Sequence, residues 1–135
     1  MVVGNKEGKT HDAVGMPVFS PEGSRVSYAV QTGKQYRIVV YSHSEPVSVK
    51  EGPAYDMVVT PVWSPDGKYI AYRARKGAMQ EGKRFIIIAD KEGKVLREGA
   101  AHDEVWQPKF DPDSRKVAYG ARLGQELWWR VEDVE

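Results

Sequence analysis

Hydrophobic and polar residues alternate in short bursts along this chain, and each burst is closed by a turn. Arg25-Val26-Ser27-Tyr28-Ala29-Val30, Tyr69-Ile70-Ala71-Tyr72-Arg73 and Lys116-Val117-Ala118-Tyr119 follow the period of two that sends successive side chains to opposite faces of a strand. Ahead of each lies a short segment led by proline: Pro17-Val18-Phe19, Pro61-Val62-Trp63 and Pro108-Lys109-Phe110. Proline brings no N–H to a ladder, so these segments are expected at a sheet edge. The two strands are joined by Ser20-Pro21-Glu22-Gly23, Ser64-Pro65-Asp66-Gly67 and Asp111-Pro112-Asp113-Ser114. Proline presets φ early in such a turn, the acidic side chain accepts from nearby amides, and glycine tolerates positive φ. A third strand is expected over 36–41, 85–89 and 127–131, and a fourth over 47–50 and 95–97. No stretch has helical periodicity or caps, so the chain reads as all-β.

The bursts are copies of one another. Residues 14–28 recur as 58–72 and 105–119, and Lys6-Glu7-Gly8, Lys50-Glu51-Gly52 and Arg97-Glu98-Gly99 each end four residues before Asp12, Asp56 and Asp103. A period in the mid-forties is that of four-stranded β-propeller blades or a similar array. One domain over 1–135 is expected, with repeats of about 12–55, 56–102 and 103–135, the last completed by 1–11. Between Tyr28 and Asp56 lie 27 residues, whereas 16 follow Tyr119 and 11 precede Asp12, and together these restore 27. The third blade therefore lacks its fourth strand, and residues 1–8 carry a matching one. Propellers close with about four to eight blades. The expectation is three four-stranded blades forming half of a six-bladed ring, a C2 homodimer joined by exchange of the N-terminal strand. An excised piece of a longer propeller is the competing reading.

Trp63-Ser64-Pro65-Asp66-Gly67-Lys68-Tyr69-Ile70-Ala71-Tyr72 resembles the repeat of the TolB-type, WD-like β-propellers: an aromatic residue, Ser-Pro-Asp-Gly, then a strand ending in Ala-Tyr. Three copies in register extend the resemblance over essentially the whole chain. Glu22, Asp111 and Ser27 depart from the pattern, each conservatively for a turn or a strand. The resemblance implies a propeller, and a binding platform for a protein or peptide as in many relatives. Phe19, Trp63 and Phe110 are expected as wedges between blades, and Tyr28, Tyr72 and Tyr119 as packing between them.

Composition narrows the chemistry. Basic and acidic residues nearly cancel, 20 against 19, so no basic field favours nucleic acid or an anionic membrane. Cysteine is absent, which removes disulfides and thiol catalysis. No apolar run approaches a membrane span and nothing resembles a signal peptide, so a cytoplasmic location is the default, or a periplasmic one if a leader was removed. No nucleophile elbow, phosphate-binding loop or metal-binding His-Glu motif occurs, and no cofactor is expected. His43 falls at a turn. Ligand candidates cluster before the first strands, where a propeller would crowd them at one mouth of its channel: His11, Asp12, Tyr55, Asp56, His102, Asp103 and Trp106, with Arg75 and Arg122 after the second strands to offset the carboxylates. Against this, each aspartate can simply accept backbone hydrogen bonds between blades, repeated because the blade repeats. The leading functional expectation is a non-enzymatic scaffold. The alternatives are a propeller hydrolase or lyase with a channel metal, and a sensory or gating domain related to a larger peptidase or transporter system.

Overall fold

The computed structural model describes residues 13–42, 48–59, 61–77 and 82–134. Among these residues there is no helix, and the strands form three antiparallel sheets. Sheet one holds β1 (Ala13–Val14), β2 (Val18–Phe19), β3 (Arg25–Thr32), β4 (Gln35–Ser42) and β5 (Ser48–Glu51). Sheet two repeats it with β6 (Met57–Val58), β7 (Val62–Trp63), β8 (Tyr69–Lys76), β9 (Lys83–Asp90) and β10 (Val95–Glu98). Sheet three has β11 (Glu104–Val105), β12 (Lys109–Phe110), β13 (Lys116–Leu123) and β14 (Glu126–Asp133). No sheet closes on itself.

In every sheet the first two short strands pair with the same long one, β1 and β2 with β3, β6 and β7 with β8, β11 and β12 with β13. They are one edge strand interrupted at Pro17, Pro61 or Pro108, as the missing N–H requires. β5 and β10 cover the far edges of β4 and β9, whereas among the described residues nothing covers β14. The segment 1–8, expected to supply that strand, lies outside the described residues, as do His11, Asp12 and His43.

The sheets meet face to face, and register fixes which side chains meet. Tyr28, Tyr72 and Tyr119 stand opposite Val39, Ile87 and Arg130, so Ile38, Ile86 and Trp129 are equivalent, as are Val40, Ile88 and Val131. Ile38 and Val40 lie in one apolar cluster with Ile70, Tyr72 and Ile87 of sheet two. Ile86 and Ile88 lie in a second with Val117, Tyr119 and Ala121 of sheet three. β9 is therefore buried from Phe85 to Ala89 without a break, the continuous apolar run of a strand covered on both faces.

Trp63 is the wedge expected of it. Its indole Nε1 donates to the Val18 carbonyl at 3.1 Å and to Ser27 Oγ at 3.0 Å, both on sheet one. Phe110, which has no N–H, packs in the same way on the cluster containing Ala71 and Ile88. Phe19 departs from the expectation and is 62% exposed, because the side of sheet one it faces receives no described sheet. The turns also stack from sheet to sheet. Ser114 sits at φ 60°, where the other two copies have glycine, and its hydroxyl accepts from the Asp66 amide at 3.1 Å. That bond between turns offsets the strain of a left-handed serine.

Replacing Trp63 with Phe removes both indole bonds and leaves the buried Ser27 hydroxyl poorly satisfied. Urea unfolding is expected to show a loss of about 1–2 kcal/mol. Adding Ser27→Ala should recover part of it, since Phe110 and Ala71 form the apolar version of the same contact.

Candidate functional site

The segment linking one sheet to the next belongs to both. Tyr55 exchanges backbone bonds with Tyr36 of β4, N to O at 2.8 Å in each direction, and the next residue, Asp56, gives its amide to Arg75 of β8. His102 and Asp103 repeat this with Arg84 of β9 and Arg122 of β13. Neighbouring residues on extended backbone point opposite ways, so Tyr55 and His102 turn inward while Asp56 and Asp103 turn toward the hairpins.

Inward means core. Tyr55 packs edge-on against Tyr72 and Phe85, and His102 against Tyr119 and Trp128, and both are buried. Burial, reinforced by Glu98, pushes the Tyr55 hydroxyl up to about 12. Lys76 lies 5.2 Å from the Phe85 ring centre and pairs with Glu98 at 3.0 Å, closing a small charged lid over these aromatics.

The aspartates clasp hairpins. Asp56 Oδ2 accepts from the Gly77 amide at 2.6 Å, and Arg75 Nε donates to the carbonyl of the same glycine at 3.0 Å. Asp103 Oδ2 accepts from Gly124 N at 2.7 Å while Arg122 donates to Gly124 O at 2.8 Å. Gln31 donates to Gly33 O in the first copy, at the position of those arginines. The other Asp103 oxygen takes Lys83, and this pair, ahead of the Gly124 amide, holds the carboxyl below the ordinary carboxylate range. The bonds to the glycine amides run within one sheet, whereas Lys83 on β9 reaches Asp103 from the neighbouring sheet. Among the described residues no three carboxylates or imidazoles gather where a metal could sit.

Trp106 leads to the surface that sequence reasoning missed. It lies over Gly120, where an added Cβ would approach its ring to 3.2 Å, and with Leu127, Trp128 and Trp129 it lines a cleft of about 400 Å³. Trp129 is 77% and Val131 62% exposed, whereas their equivalents in sheet two, Ile86 and Ile88, are 2% and 3% exposed. The signal was present: β14 keeps the apolar alternation of a covered strand, at Leu127, Trp129 and Val131. No protein-family model and no curated protein matches the chain.

Three variants probe these assignments. Asp56→Ala should lower stability by about 1 kcal/mol, with calcium or zinc leaving the melting temperature of the parent protein unchanged. The Asp103 carboxyl is depressed in the fold, so its contribution is full above the unfolded value of 3.8 and fades as pH falls through the folded value. The stability gap between the parent and Asp103→Asn is therefore expected at neutral pH and should vanish in acid. Tyr55 has the opposite sign. Its raised value stabilises the fold below pH 10 and that stability is lost as pH climbs toward about 12, so Tyr55→Phe should flatten the alkaline decline.

Proposed function

We propose that the chain is a non-enzymatic binding scaffold of the TolB-like β-propeller type, whose three blade-like sheets form a six-bladed ring with a second copy and present that ring to a protein or peptide partner. One observation carries this reading. The apolar face that sheets one and two each bury under the next sheet is, among the described residues, bare on sheet three, at Leu127, Trp129 and Val131 beside Trp106. Exposed aromatic clusters of this kind are surfaces for protein contact. Asp56, Arg75, Asp103 and Arg122 meanwhile bond the backbone of the hairpin glycines Gly77 and Gly124.

The edge of β14, which no described strand covers, supports the same reading. Gly52 and Gly99 donate to Ile38 O and Ile86 O, both at 2.8 Å, at the end of the strands that cover β4 and β9. The carbonyl equivalent to these two belongs to Trp129, and the third basic-Glu-Gly segment that ends four residues before a repeat aspartate is Lys6-Glu7-Gly8. Donation of that segment by a second copy would supply the ladder β14 lacks.

Light scattering should return twice the 15.2 kDa chain mass. Trp129→Glu, on an exposed side chain, should return a folded monomer. A monomeric parent protein overturns the ring; a dimer indifferent to Trp129→Glu moves the contact to another surface.

A further inference from the structure

The wedges and their seats carry a chemical rule that names the residue completing the bare face. The indole of Trp63 seats on sheet one where β3 offers the Ser27 hydroxyl beside Val40. Phe110 seats on sheet two, where the equivalent of Ser27 is Ala71 beside Ile88. A donor ring meets an acceptor, and a ring without a donor meets a methyl group. On sheet three the equivalent seat is Ala118 beside Val131, half-exposed and without a wedge among the described residues. The remaining wedge, Phe19, is a phenylalanine and is itself 62% exposed.

We infer that Phe19 of a second copy seats on Ala118 and Val131, so that copies join with sheet three of one against sheet one of the other. The inference rests on the self-assembly proposed above and fixes its register. It extends to a second copy the face-to-face contact that the chain already makes twice internally. The area suffices. β13 and β14 have eight residues each, and with the edge traced by β11 and β12 taken as a third strand of that length, ~3.3 Å per residue and about 4.8 Å spacing present roughly 380 Å². A closed pair makes two seams, so each copy covers on the order of 750 Å², close to the roughly 800 Å² per partner of a stable complex. Stacking sheet three on sheet three of the other copy would make one seam, cover half as much and leave Phe19 bare.

The chain has no cysteine, so single cysteines report cleanly. Phe19→Cys and Ala118→Cys chains, refolded together and treated with a short-arm bis-maleimide, should give a covalent dimer, while neither variant alone should. Phe19→Asp should weaken the dimer by about thirtyfold or more, the effect of losing a buried aromatic anchor. Ala118→Ser should also weaken it, and Phe19→Trp in that background should restore it by recreating the Trp63–Ser27 pair. Cross-linking of Ala118→Cys alone, with the mixture inert, would overturn this register while leaving self-association intact. A parent protein of monomer mass would instead overturn the self-assembly reading and this inference with it.

Discussion

Everything in this molecule depends on sheets that are apolar on both faces. A sheet with one solvated face can stand at a surface, but β9, buried from Phe85 to Ala89, needs cover on each side. Sheet one supplies one cover through Ile38 and Val40, and sheet three the other through Val117, Tyr119 and Ala121. Stacking is thus how each sheet removes its side chains from water, at roughly 25 cal/mol for each Å² of apolar surface covered. Sheet three poses a difficulty, because it keeps the pattern and, among the described residues, has nothing to press against on one face. Trp129 and Val131 are that difficulty in residue form.

The polar groups serve the same stack. Asp56 and Asp103 take the amide of a hairpin glycine whose carbonyl is held by Arg75 or Arg122, so acid and base converge on one residue and leave no net field at the turn. Lys83 then ties Asp103 of sheet three to β9 of sheet two. These contacts are exposed and individually weak, and of them the Lys83–Asp103 pair links one sheet to the next. Asp66 and Ser114 do the same from the turns on another side.

Much of this was legible in the sequence, and the omissions have physical causes. The long strands, the proline breaks and the turns follow from period two and turn chemistry, which act locally. Tyr55 and His102 were harder. Both precede an aspartate before a first strand, and nothing local says that their backbones pair with the preceding sheet, which turns their rings into the core. Ser114 looked like a lapse from glycine, whereas its hydroxyl serves a turn 48 residues away in sequence. The aspartate bonds were foreseen as an alternative to a ligand role, though the backbone amides they accept from lie within the sheet rather than across sheets. Trp106 read as a ligand residue because it neighbours the aspartates; the glycine beneath it on β13 reveals the aromatic cleft.

The junctions between sheets also bear on how such a chain can lengthen over generations. His102 is bonded to Arg84 and the very next residue, Asp103, to Arg122, so two sheets are stitched to consecutive links of one backbone with no slack between them. A single inserted residue there would reverse every side chain that follows, exchanging buried faces for wet ones. Small insertions are confined to the hairpin tips, and growth elsewhere proceeds by whole repeats, so the molecule can change its number of sheets more readily than the spacing between them.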